Sequence, residues 1–166
     1  MKEADVLELL RQKYTRVRRG TSADRYVRAA HVRYPATWGF GFADRIADYI
    51  VLDTYEQGQM IGFEVKVSRS DWLHELAQAD KAEVWKRHCN AWYLVASDRN
   101  ILRNRDELPD GWGFMAPDKT GQLRVIYRAP HNPEPNPVPL AVLTYLGRAI
   151  QKTAERDKET NHDQQC

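Results

Sequence analysis

The chain has 166 residues, 42% of them hydrophobic, and a formal net charge of +2, enough apolar material for one domain that buries about 70% of its unfolded surface. Its two cysteines, Cys89 and Cys166, exclude a disulfide framework and a zinc-ligand spacing, and no apolar run approaches the roughly 20 residues that cross a membrane. The opening Met1-Lys-Glu-Ala-Asp is acidic too early and lacks the apolar stretch of a secretory signal, so a reducing cytoplasmic compartment is expected.

Residues 3–14 predict a helix whose apolar face carries Val6, Leu9, Leu10 and Tyr14, with Glu3 near the centre of that face and Glu8 turned away. A basic segment follows. Arg11, Lys13, Arg16, Arg18, Arg19, Arg25, Arg28 and Arg33 stand against one acid, Asp24, which makes a candidate polyanion surface or a solvated face. From it we expect Arg16, Arg18, Arg19, Arg25 and Arg33 to contact phosphate. Tyr26 to Tyr34 reads as a strand, and residues 35–42 as an aromatic loop. Trp38 and Phe40 in that loop are read as packing, with stacking on bases as the alternative.

Residues 45–54 and 60–67 are strand-like runs joined by Tyr55-Glu-Gln-Gly-Gln59, a hairpin pattern with its apex near Glu56. A helix should open after Ser68-Arg-Ser-Asp71, capped by Ser70 or Asp71, and restart at the capping-box pattern Asp80-Lys-Ala-Glu83, running to about Cys89. Residues 91–96 form a short apolar run expected to be a buried strand, and 112–116 and 122–128 two more around a turn. Four prolines between His131 and Pro139 mark a linker. A final helix spans 138 to about 156, with Leu140, Leu143, Leu146 and Ile150 on one side. Residues 155–166 read as a polar, frayed tail, leaving 1–154 as a single domain. The order predicts an α/β fold, a mixed sheet flanked by helices.

Asp48, Glu64 and Lys66 lie inside the two hairpin strands, where buried charge is costly. Residues two apart on a strand share a face, so Glu64 and Lys66 project together and Val65 turns into the core. With the apex at Glu56, Asp48 falls opposite Glu64, about 5 Å away at Cβ. Two carboxylates that close repel unless a cation sits between them. A hard divalent cation, Mg²⁺ with Mn²⁺ able to substitute, suits such oxygen ligands, and the Val65 carbonyl could add another. Such a metal lowers the pKa of its water and neutralises charge on phosphate, while Lys66 orients the water or stabilises the transition state. The plain alternative is a surface ion pair. His31, His74 and His88 have no metal spacing and read as surface or packing residues. Trp72, Trp85, Trp92 and Trp112 read as core.

The segments Arg45-Ile-Ala-Asp48, Gly62-Phe-Glu-Val-Lys-Val67, Ser68-Arg-Ser-Asp-Trp-Leu-His-Glu75, Lys81 and Cys89-Asn-Ala-Trp-Tyr-Leu-Val95 resemble the PD-(D/E)XK nuclease superfamily. Within it the likeness is nearest to the MmcB-like DNA-repair group and related phage-type proteins. It spans residues 44–97, and Ala47 stands where the superfamily's name has Pro. The resemblance implies a restriction-endonuclease-like core and a Mg²⁺-dependent endonuclease acting on DNA in repair, recombination or phage DNA processing. It implies Asp48 and Glu64 as metal ligands, Lys66 as the catalytic lysine, and a contribution from a first-helix Glu, for which Glu3 faces correctly. The expected partner is DNA, with a homodimer left open. The competing readings are a non-catalytic DNA-binding module and a protein–protein interaction protein on the same fold.

Overall fold

The alternating and apolar runs pair into one six-stranded sheet, in which strand order follows chain order. The computed structural model describes residues 1–35, 45–55, 58–78 and 80–163. The aromatic loop with Trp38 and Phe40, the hairpin apex near Glu56 and Cys166 lie outside the described residues. Strands β1 (Tyr26–Tyr34), β2 (Arg45–Asp53) and β3 (Gln59–Lys66) form an antiparallel meander. Strands β4 (Ala91–Ala96) and β5 (Trp112–Pro117) add in parallel, and β6 (Leu123–Tyr127) closes the far edge antiparallel to β5. The parallel step follows from helices α2 (Arg69–Leu76) and α3 (Asp80–Lys86), which carry the chain back from the end of β3 to the start of β4.

Helix α1 (Glu3–Lys13) covers one face of the sheet, burying Val6 and Leu10 against Tyr49, Val51, Phe63, Val65 and Val95. The opposite face packs on α2, α3 and the final helix α4 (Leu140–Asp163). Trp72, Trp85, Trp92 and Trp112 lie in that second core, as their apolar settings predict, together with Cys89. Gly62 makes room for this cluster, since a Cβ at that position would sit 2.2 Å from the Trp92 ring. Gly62→Ala should therefore destabilise the protein by at least about 2–3 kcal/mol through overpacking, read as a lower urea midpoint with an unchanged slope.

Three boundaries differ from the sequence reading, the first being α3, which ends at Lys86 rather than near Cys89. The N-cap of α2 is Ser68, whose side chain accepts from Asp71 N–H at 3.1 Å, rather than Ser70 or Asp71. Helix α4 does not fray at residue 155 but runs to Asp163. Its buried side is Val142, Leu146, Ala149 and Thr153, whereas Leu140 and Leu143 are exposed. The reason lies on β1, an edge strand with unpaired backbone groups that must be covered. Thr153 Oγ1 accepts the Ala30 N–H at 2.9 Å, and Asp157 accepts from Arg28 at 3.2 Å. A small alanine and a short hydroxyl let the helix approach that edge closely. Among the described residues no helix is long and apolar enough to cross a membrane.

Candidate active site

The β2–β3 register, Tyr49↔Phe63 and Ile50↔Gly62, leads in its next step to Asp48 and Glu64, the opposition expected from the hairpin. The backbone ladder stops there. Asp48 instead turns a carboxylate oxygen onto the Val65 N–H, at 2.7 Å. The β1–β2 ladder skips the same level, with Ala30↔Tyr49 and Val32↔Ala47 paired and His31 and Asp48 between them. Ala29 and Val32 share one core, as do Ala47 and Ile50. Strict alternation would send residues three apart to opposite faces, so both strands change parity at His31 and Asp48. His31 carries the local strain, with φ of 52° in the left-handed region that few side chains adopt.

This irregularity gathers residues that the chain keeps apart. Ligand-type atoms of Glu3, His31 and Asp48 lie within 4.8 Å of one another. Glu3 comes from the first turn of α1, which is the first-helix carboxylate anticipated by the resemblance. His31, read from sequence as a surface or packing residue, joins it. Its Nδ1 lies 3.9 Å from Glu3 Oε1. No spacing signal could have found His31, because the contact depends on a break in strand parity.

Glu64 lies outside that trio and forms a second group with Lys66. Phe63 and Val65 pack under α1, so Glu64 and Lys66 face the α2 side together, as strand parity predicts. Lys66 Nζ meets Glu64 Oε1 at 2.6 Å and Glu75 Oε2, from α2, at 2.9 Å. Glu75 was not singled out from the sequence, although it sits on the α2 face that returns over the end of β3. Where the sequence expects Asp48, Glu64 and the Val65 carbonyl around one cation, the structure sets Asp48 with Glu3 and His31. Val65 contributes an N–H to Asp48.

The electrostatics tie the two groups together. Burial, then the charge of Asp48, raises the Glu64 pKa to about 8, against the opposing pull of Lys66. Burial also raises Asp48, partly offset by the Val65 N–H and Lys66, while Glu3 pushes the same way as burial. Burial works against the Lys66 charge, but Glu64 and Glu75 outweigh it and hold the proton on the amine well above its usual range. A half-buried site with repelling carboxylates is therefore short of positive charge. The donor set of two carboxylates and one imidazole fits a divalent cation. The imidazole suits Mn²⁺ better than Mg²⁺, which prefers oxygen alone.

The basic segment divides. Arg11 pairs with Glu8, Arg25 with Asp53, and Arg28 with Asp24 and Asp157. Arg25 also lies over the rings of Tyr26 and Tyr55. Arg16, Arg18 and Arg19 are exposed but follow the far end of α1, whose 11 residues carry them roughly 16 Å from Glu3. Arg33 alone of the five expected phosphate contacts lies near His31, two residues along β1.

No protein-family model and no curated protein matches this chain. A solved structure of a protein of unknown function from Silicibacter pomeroyi is similar over 85% of this chain and 82% of its own, at 17% identity and a TM-score of 0.49.

Proposed function

We propose that the protein is a metal-dependent endonuclease of restriction-endonuclease-like fold that hydrolyses DNA phosphodiester bonds. One observation carries this reading. Asp48, Glu3 and His31 meet at a break in the sheet, beside Glu64 and a lysine held by two carboxylates. Glu3, His31 and Asp48 would hold the cation, with Glu64 next to them. When bound, the cation would acidify its water and offset phosphate charge. Asp48 is oriented by the Val65 N–H and keeps its second oxygen for a ligand. Lys66 keeps its proton, so its role is that of a positively charged donor to a phosphate oxygen rather than a base.

The competing reading, a non-catalytic module, is favoured by the satisfaction of Lys66 by Glu64 and Glu75 without any ligand. Incubation with linear and branched DNAs separates the two. Cleavage should require Mn²⁺ or Mg²⁺, run faster in Mn²⁺, and stop with chelator. Failure with every substrate and metal would favour the module. His31 supplies a sharper check. His31→Gly and His31→Ala should both lose the preference for Mn²⁺. The glycine variant should be more stable than the alanine variant by about 1 kcal/mol, because it relieves the positive φ. An Mn²⁺ preference that survives both changes would remove His31 from the ligand set.

A further inference from the structure

A groove of about 320 Å³ runs between α4 and the β1–β2 edge, lined by His31, Arg33, Tyr145, Arg148, Lys152 and Arg156 among others. Arg148, Lys152 and Arg156 recur every four residues, so they form one stripe about 12 Å long on a single face of α4. All three are exposed, and none forms an ion pair among the described residues. Like charges at this spacing repel along a helix. Thr153 and Asp157, one position further on, tie the adjacent face of the helix to β1 through Ala30 and Arg28, which turns the cationic stripe towards the groove. Of the acids on α4, Asp157 is spent on Arg28 and Glu155 accepts from Gln151, while Glu159 is exposed three residues beyond Arg156 and makes no ion pair with it among the described residues. Arg33 and Arg148 both stand against the Tyr145 ring, at 5.9 and 5.8 Å, which gives the groove a half-buried aromatic wall. His31 belongs both to this groove and to the trio with Glu3 and Asp48. One residue of the cationic track, His31, is therefore also a member of the acidic cluster.

We infer that this groove binds the sugar-phosphate backbone of a nucleic-acid strand, with Arg148, Lys152 and Arg156 on successive phosphates and His31 marking where the strand reaches the carboxylates. The inference deepens the nuclease reading and rests on it for the purpose of the groove, but binding can be measured without cleavage. A regular array of cations suits a polymer with regularly spaced charges, and His31, shared with Glu3 and Asp48, sets one end of the array beside carboxylates that would take a phosphate only with a cation present. The surface differs from the basic segment between Arg11 and Arg33, most of whose charge is matched by acids or carried to the far end of α1.

The test is fluorescence anisotropy in chelator, with a labelled DNA duplex carrying a single-stranded tail, titrated over salt concentration. The triple variant Arg148→Gln, Lys152→Gln, Arg156→Gln should bind more weakly and lose about two units of the salt slope, because each phosphate contact releases counterions. Arg148→Lys with Arg156→Lys keeps the charge and should keep the slope, which separates lost charge from a disturbed helix. An unchanged slope in the triple variant would overturn the inference. So would the absence of binding by the wild type at low salt, or equal losses in the lysine and glutamine variants. If the triple variant loses its slope but the wild type cuts no DNA in any metal, the groove stands and the nuclease reading falls. If the wild type cuts and the triple variant binds normally, the nuclease reading stands and the groove falls.

Discussion

Asp48→Asn should abolish DNA cleavage, lowering it by at least about 10²–10³-fold, and should remove the stabilisation that Mn²⁺ gives the wild type. The substitution is nearly isosteric, and the amide oxygen can still accept the Val65 N–H that Asp48 accepts at 2.7 Å. The sheet break should therefore survive, and the variant should fold. What it lacks is the charge shared with Glu3 and His31 within 4.8 Å. A ligand present at a hundred times its Kd stabilises the folded state by about 2.7 kcal/mol, which for a domain of this size corresponds to a rise in Tm of roughly 5–10 °C. Wild type should show that rise in Mn²⁺ and Asp48→Asn should not. Equal shifts in the two proteins would mean that the cation binds elsewhere, and cleavage by the variant at the wild-type rate would remove Asp48 from the chemistry.

The second large effect concerns pH. Glu64 has a folded-state pKa of about 8, raised from its ordinary value chiefly by burial and by Asp48. Between the ordinary carboxylate range and pH 8 the folded chain therefore binds more protons at this site than the unfolded chain does. Stability is fully present below the unfolded pKa and is lost as pH rises towards 8. Carboxylates held below their ordinary values by arginines, Glu8, Asp24 and Asp53, work in the opposite direction. Their contribution is complete above the ordinary carboxylate range and is lost only on acidification. In chelator, urea unfolding should accordingly show greatest stability near pH 5 and a decline of a few kcal/mol by pH 8. Glu64→Gln is neutral at every pH. It should flatten the decline and be more stable than wild type at pH 8, while losing cleavage. Added Mn²⁺ should restore the wild type at pH 8. A wild-type profile that is flat or rising from pH 5 to 8 would show that neither burial nor Asp48 holds the Glu64 carboxyl above its ordinary range in the folded protein.

These expectations join features readable in the sequence to others that are not. The hairpin is local. Alternation in β2 and β3 and the short link between them set which residues oppose, and the register brings Asp48 to Glu64 as counted from the apex. Parity likewise sends Glu64 and Lys66 to one face and Val65 to the other. The four core tryptophans and the mixed α/β sheet follow from apolar runs, because burying a face is the same requirement wherever the chain leads.

Tertiary structure decided the rest, at the points where distant segments meet. His31 and Glu3 reach Asp48 through a paired break in β1 and β2 that no two-residue period contains. Glu75 reaches Lys66 because Ser68 caps α2 close to the end of β3 and fixes the angle of return. The length of α4 was hidden by its polar composition, since its last turns are held by Thr153 on an edge N–H and by Asp157 on Arg28, not by apolar burial. Charge was the least legible of all. Arg11, Arg25 and Arg28 look like a cationic surface along the chain, yet Glu8 and Asp24, three and four residues away in sequence, and Asp53 and Asp157, brought from distant segments, pair with them, while Arg148, Lys152 and Arg156 line a groove that includes His31. Coulomb energy depends on distance in space, and a list of residues contains only distance along the chain.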